Sequence, residues 1–120
     1  MNGKRLVANG KDRPMTSCEK SPGCVQACLN ILGDKWTPLL LKLIAEAGPQ
    51  RFSDLAKALP KLSERTLALR LSFLSDEEVV EKTPYTSQPL RFRYALTPKG
   101  TELITVLRAM ANWGEKFRTS

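Results

Sequence analysis

Two short helical stretches on either side of Pro60 constrain this chain more than any other feature. Gly48-Pro49 ends whatever helix precedes them. Ser53 is then placed to cap a helix over Asp54–Leu59, which carries Leu55 and Leu59 on one face and is closed by Pro60. Ser63 is placed to cap the next helix, where Leu67, Leu71 and Leu74 follow the i, i+4, i+7 pattern of a core-facing stripe. Two short helices joined by a brief turn predict a helix-turn-helix.

The flanking segments complete an order of elements. Val25, Cys28, Leu29 and Leu32 recur at helical spacing over Cys24–Leu32, after Ser21-Pro22 as cap and first-turn pair, and predict a short first helix. Gly33 and Asp34 interrupt it. A second, strongly apolar helix through Pro38–Ala45 is expected to lie centrally. Beyond the helix-turn-helix, Val79–Thr83 and Arg91–Leu96 read as strands, the second alternating Phe92, Tyr94 and Leu96 against Arg91, Arg93 and Ala95 with period two. Between them, Pro84-Tyr85-Thr86-Ser87-Gln88-Pro89 is expected to exclude a tight two-residue turn and to form a longer protruding loop, a wing. Thr97-Pro98 supplies an N-cap and a first-turn proline for a last helix.

Along that last helix Leu103, Leu107, Met110, Trp113 and Phe117, with Ile104 and Val106, cover more of the circumference than one small core requires. A second copy of the chain is the expected cover, packed on the last helix. The expected fold class is mainly α with a small β-hairpin, a dimeric winged helix-turn-helix.

Composition agrees with one such domain. At 120 residues and 42% hydrophobic content the chain can bury a single core. Residues 1–17 stand apart: they are polar, lack hydrophobic periodicity, and their Lys4, Arg5, Lys11 and Arg13 outweigh Asp12, which predicts a mobile basic tail ahead of a domain over 18–120. Nineteen lysines and arginines against 12 acidic residues give a net charge of +7, which favours a polyanionic partner. No apolar run approaches the roughly 20 residues of a membrane span, and residues 1–14 lack the apolar core of a secretory signal, so a cytoplasmic location is expected. With no histidine, no glycine-rich phosphate loop and no paired acids, the chain offers little from which to build an enzyme, and no cofactor is expected.

The residues that carry this order resemble the HxlR-type family of bacterial winged-helix regulators. The matching stretches are Leu32-Gly33-Asp34-Lys35-Trp36, Arg51-Phe52-Ser53-Asp54-Leu55, Leu62-Ser63-Glu64-Arg65-Thr66-Leu67 with Arg70-Leu71, and Tyr94-Ala95-Leu96-Thr97-Pro98-Lys99-Gly100. The resemblance implies homodimers built on the first and last helices, double-stranded DNA read by the fourth helix, and wings laid along the DNA backbone. The sequence departs from the family pattern in places that matter. Glu77-Glu78 stands where the family has an acidic residue and glycine, so this chain must either turn differently or strain a glutamate. Leu69 and Phe73 replace residues that tend to be polar, and Arg93 one that is often acidic.

With Leu67, Leu71 and Leu74 inward, a rotation of ~100° per residue turns Arg65, Ala68, Leu69 and Ser72 outward as candidate base readers. Arg65 has the planar fork that meets guanine O6 and N7 together, while Ala68 and Leu69 suit thymine methyls. Ser63 and Thr66 are placed for phosphate, although a plain helix N-cap accounts for Ser63 equally. Arg70 lies nearer the inward edge, where an internal ion pair competes with phosphate contact. Arg91 and Arg93 alternate with the aromatics and point away from the core, toward solvent or DNA, with DNA favoured for a pair beside the wing; Lys82 is a weaker candidate.

Three cysteines, Cys18, Cys24 and Cys28, are an odd number, so no structural disulfide framework is expected in a reducing compartment. Cys24 lies near the start of the first helix, where unpaired N–H groups favour a thiolate open to an oxidant or small electrophile. Some members of the resembling family carry a sensitive cysteine there, but Cys24 is about one residue off the usual offset to Gly33. The competing reading is that Cys24 and Cys28 are small packed hydrophobes. With no histidine and no fourth cysteine, no metal site is expected. A protein-interaction module on the same scaffold is the rival to DNA binding, because fold alone does not fix function.

Overall fold

The structure, a computed structural model, describes residues 22–118. The basic tail expected over 1–17, the cap assigned to Ser21 and the cysteine at 18 lie outside the described residues. The chain divides at Gly33 into two compact units. In the first, α1 spans Pro22–Leu32 and so begins two residues before the expected Cys24. Its periodic apolar set is not uniformly buried: Leu32 is, Cys28 is half-buried, and Val25 and Leu29 are exposed.

The second unit runs through α2 (Thr37–Ala47), α3 (Phe52–Ala58), α4 (Glu64–Asp76), β1 (Val80–Ser87), β2 (Leu90–Leu96) and α5 (Pro98–Phe117). Its core joins Leu40, Leu41 and Ile44 of α2, Leu55 of α3, Leu67, Leu71 and Leu74 of α4, the adjacent Val79 and Val80, and Ile104 of α5. The leucine stripe read from residues 67–74 is thus the buried face of α4. The second helix is less enclosed than its composition predicts, since Leu39 and Ala45 are exposed.

A single carboxylate organises the start of α2. Asp34 accepts the backbone N–H groups of Trp36 and Thr37, both at 2.7 Å, on Oδ1. Its Oδ2 accepts the Thr37 hydroxyl and Nη1 of Arg70, each at 2.6 Å. Two orphan donors of the helix N-terminus are thereby satisfied. The same group reaches across to α4, so the recognition-helix candidate is tied by a charge-assisted bond to the residues that start α2. Partial burial pulls the Asp34 pKa up, but the Thr37 hydroxyl and amide, the Trp36 amide and the Arg70 charge outweigh it and hold the carboxyl below its ordinary value.

The cap of α3 differs from expectation. The helix begins at Phe52, before Ser53, and its start is closed by Asp54, whose Oδ2 accepts the Arg51 N–H at 3.0 Å. Ser53 is therefore inside the first turn and exposed. The carboxylate wins because it satisfies the backbone donor and the Arg51 guanidinium together. Ser63 caps α4 as expected, its Oγ accepting the Thr66 N–H at 3.1 Å.

At the other end of α4 the chain leaves through a Schellman turn: Val79 N–H bonds to Leu74 O at 2.9 Å and Glu78 N–H to Ser75 O at 3.0 Å. The position that closes such a turn needs positive φ, and here a glutamate supplies it, with Glu78 at φ 62. Of the two outcomes open from sequence, the strained glutamate is the one realised. The junction is braced from α5. The Thr97 hydroxyl donates to Glu78 O at 2.5 Å and Lys99 Nζ to Glu77 O at 2.7 Å. Gly100 sits so close to Val79 that a Cβ there would lie 2.1 Å from the Val79 carbonyl oxygen.

β1 and β2 pair antiparallel, Val80 facing Leu96 through Ser87 facing Leu90. The long wing loop expected over 84–89 is not formed. The strands continue to Ser87 and from Leu90, and Gln88-Pro89, joined by a cis peptide bond, make a tight two-residue turn. Pro84, which has no N–H to give, is accommodated by a register shift between Pro84 and Thr86 rather than by ending the strand. A bridge between Gln50 and Tyr94 ties the residues before α3 to the hairpin.

Replacing Asp34 by Ala is expected to cost about 3 kcal/mol, the sum of a lost helix cap and a partly buried charged contact left unpaired. Because the folded-state pKa of Asp34 is lowered, its contribution is complete above the ordinary value of 3.8 and is lost as pH falls below it. Denaturant melts between pH 6 and 3 should show a shallower loss of stability in Asp34→Asn than in the wild type, and parallel pH profiles would refute the assignment. Glu78→Gly should instead stabilise by about 1 kcal/mol through relief of the left-handed conformation, read as a higher melting temperature.

Candidate nucleic-acid interface

An α-helix presents a readable face only if its other face is anchored. Leu67, Leu71 and Leu74 are essentially inaccessible, and this leaves Arg65, Ala68, Leu69 and Ser72 exposed on the opposite side of α4. Leu69 is the notable member, a large aliphatic side chain 61% exposed on a helix whose core stripe is full. Within the described residues Arg65 enters no ion pair, so its guanidinium is available to a ligand.

Ser63 and Thr66 are held together at the start of the helix, the Ser63 hydroxyl donating to Thr66 Oγ1 at 3.0 Å while accepting the Thr66 N–H. Both remain exposed. Arg70 is turned inward by comparison: it bonds Asp34 and lies 4.7 Å from the Phe73 ring centre, so of its two open readings the internal ion pair is formed.

On the hairpin, Arg91 and Arg93 are exposed, as the period-two pattern requires, while Phe92 and Tyr94 are half-buried. Arg93 stacks over Tyr85 with its Cζ 4.3 Å from the ring centre, and Lys82 covers Phe92 at 4.8 Å. Both cations are thus braced by an aromatic face on the paired strand. No contact links Arg65 to Arg91 or Arg93 among the described residues; helix and hairpin are coupled through the Leu74–Val79 bond and the core packing of Val79 and Val80.

One participant is missing from the sequence reading. Arg51 pairs with Asp54 through Nη2–Oδ1 at 3.0 Å, and the Asp54 carboxylate raises its pKa further above the ordinary value. The i, i+3 spacing of Arg51 and Asp54 at a helix start was a usable signal.

On α5, Leu103 and Leu107 are half-buried within their own chain, whereas Met110, Trp113 and Phe117 are more than half exposed. Trp113 and Phe117 stack on each other, ring centres 5.2 Å apart. Ordinary monomer surfaces seldom show such a continuous apolar strip. In α1, Cys28 is a free thiol and Cys24 is disulfide-bonded. The expectation of no structural disulfide does not describe Cys24.

Residues 31–120 match the family described as HxlR-like helix-turn-helix. The HTH-type transcriptional regulator YodB of Bacillus subtilis strain 168 is 32% identical over 102 residues, which cover 85% of this chain and 87% of that one. Among solved structures, diamide-treated YodB from B. subtilis superposes with a TM-score of 0.70 at 32% identity, covering 83% of this chain and 97% of its own. The redox regulator HypR in its oxidized form superposes with a TM-score of 0.70 at 29% identity, covering 80% and 98%. Matched across its helix-turn-helix, hairpin and last helix, this chain belongs to the HxlR-like helix-turn-helix family, a winged-helix member among transcriptional regulators.

Proposed function

We propose that the chain regulates transcription by binding double-stranded DNA as a homodimer, with α4 in the major groove and the hairpin along the backbone. The observation that carries this reading is the exposed face of α4. A helix that spends its apolar stripe on the core and still presents Arg65, Ala68, Leu69 and Ser72 outward has the chemistry for base edges, a guanidinium for guanine and apolar groups for thymine methyls. Ser63 and Thr66 sit where the first turn meets phosphate. Arg91 and Arg93 supply backbone contacts, and Arg70 positions the helix through Asp34. DNA binding rather than catalysis is the activity, and it separates this protein from an interaction module by its salt dependence.

The α5 strip of Leu103, Leu107, Met110, Trp113 and Phe117 is the dimer surface. A two-fold dimer places two α4 helices in successive major grooves, so the operator is near-palindromic with half-sites ~10 bp apart or a multiple of it. Cys24 carries the response to oxidant or electrophile. Its disulfide-bonded state here, and the likeness to YodB treated with diamide and to oxidized HypR, support a thiol chemistry in this region.

Fluorescence anisotropy with operator variants at several salt concentrations tests the DNA reading. Arg65→Ala should cost roughly 1–3 kcal/mol and relax preference at one base pair per half-site, while Arg91→Ala and Arg93→Ala should weaken all sequences alike and reduce the salt slope by about one per contact in each subunit. Undiminished base preference in Arg65→Ala would sink the assignment of α4. In the same series Trp113→Glu should sediment as a monomer and lose the preference for paired half-sites; a wild type already monomeric at micromolar concentration rules out the dimer. Diamide should change operator affinity in the wild type and leave Cys24→Ser unaffected, and identical responses in the two proteins would eliminate Cys24.

A further inference from the structure

A cavity of about 380 Å³ lies where α5 passes α2 and the end of β2. Its apolar walls are Ile44 and Ala45 of α2, Pro49, Ala95 and Leu96 of β2, and Ile104 of α5. Thr101, Thr105 and Arg108 complete the lining from α5. The size falls within the roughly 300–1,000 Å³ of small-molecule sites, and the make-up is theirs too, mostly apolar walls with a few polar groups gathered on one side. At ~100° per residue Thr101, Ile104, Thr105 and Arg108 share one face of α5, while Leu103, Leu107 and Met110 share the opposite one. The cavity and the strip assigned to the dimer therefore do not compete for the same side of the helix.

The charge of the cavity selects its ligand. Arg108 is the one charged residue among those lining it, and no carboxylate stands in the wall. Arg108 is exposed and enters no ion pair among the described residues. A guanidinium presents paired N–H donors that match a carboxylate bidentately. Thr105 and Thr101 lie one and two turns back on the same face, and their hydroxyls add donors for the carboxylate or for a polar substituent beside it. Apolar walls with a single unneutralised cation fit a small monoanion with a hydrophobic body. They fit a sugar, a metal ion or a polyanion poorly.

We propose that this cavity is an effector site for a small carboxylate carried on one or two hydrocarbon rings, with Arg108 holding the carboxylate and Ile44, Leu96 and Ile104 the rings. The walls give occupancy a route to the DNA-binding elements. Pro49 and Ala95 each adjoin a residue of the Gln50–Tyr94 bridge, in which the Gln50 N–H donates to Tyr94 O at 3.0 Å and the Tyr94 N–H to Gln50 O at 2.7 Å. That bridge ties the entry of α3 to the hairpin, so a ligand seated against Pro49 and Ala95 favours one arrangement of helix-turn-helix and hairpin over another. The site acts without Cys24, and its regulatory part rests on the DNA-binding reading above.

The test uses the full chain with 2-naphthoate as probe and 2-naphthamide as its uncharged counterpart. Amide-resolved NMR titrations without DNA compare wild type, Arg108→Gln and Ala45→Leu, each checked by a thermal melt. Both positions are exposed, so neither change removes core packing. In the wild type 2-naphthoate should shift the amide signals of Ala45, Ala95, Thr101 and Thr105 to saturation, and 2-naphthamide should bind at least about tenfold more weakly. Arg108→Gln should weaken 2-naphthoate to the level of the amide, and Ala45→Leu, which fills the cavity but keeps the charge, should weaken both probes. Absence of saturable shifts, or shifts centred on Met110, Trp113 and Phe117, overturns the site, as does equal binding by wild type and Arg108→Gln. Anisotropy with an operator duplex then reads the coupling: saturating 2-naphthoate should change duplex affinity at least about fivefold in the wild type and leave Arg108→Gln unaffected. An unchanged wild-type affinity overturns the effector role. A wild type that binds no duplex at low salt refutes the DNA reading itself, and the NMR titrations still decide the site.

Discussion

The four bonds accepted by the Asp34 carboxylate are the constraint on which the readable face of this protein depends. A recognition helix is useful only if its rotation about its own axis is set, because ~100° of roll exchanges one residue for the next at the base edges. The leucine stripe of α4 sets that rotation coarsely, as hydrophobic contact is non-directional. The bond from Arg70 to Asp34 adds direction, and Asp34 is itself fixed by the start of α2 and by the fully buried Thr37. Arg70 is thereby held in an internal ion pair, while Arg65 on the same helix stays exposed.

The second fixed point is the passage from α4 to β1. Glu77, Glu78 and Val79 turn the chain within three residues, and Thr97, Lys99 and Gly100 close over them from the start of α5. The carbonyls that the ending helix leaves unpaired are taken up by the hydroxyl and the ammonium. A lysine at this point does so without crowding the turn, and the glycine lets the backbones meet. The strained glutamate is held in place by bonds on both of its neighbours, which is the circumstance in which a left-handed non-glycine residue persists. The hairpin leaves the helix in one direction as a result.

How much of this could be read in advance varied with the kind of interaction. Periodicity gave the core-facing stripe of α4, and the short side chains Ser63 and Thr97 gave two helix starts, because each signal is contained within a few residues. The reading failed where a local rule met a tertiary alternative. Ser53 lost its cap to Asp54, since a carboxylate that also meets a guanidinium gains more than a hydroxyl. Pro84 and Pro89 predicted a long loop, yet a bulge and a cis-proline turn absorb them and the strands run on. On α4 the exposure of Arg65, Ala68, Leu69 and Ser72 followed from helical geometry, whereas the stacking of Arg93 over Tyr85 needed a bulge that the alternation of apolar and polar residues does not announce.

These departures have a common consequence for how the surface is built. A loop of the length first expected would carry its cations on mobile backbone and would pay ordering entropy on meeting a ligand. Continuous strands with a tight turn carry Arg91 and Arg93 on paired backbone instead, and an aromatic ring under Arg93 restricts a side chain that would otherwise sweep widely. Preorganisation of this kind raises affinity by reducing what is lost on binding and not by adding contacts. It also narrows the range of surfaces the hairpin can meet, because cations held on paired strands fit best an anion array of matching pitch. The regular spacing of phosphates along a duplex is such an array.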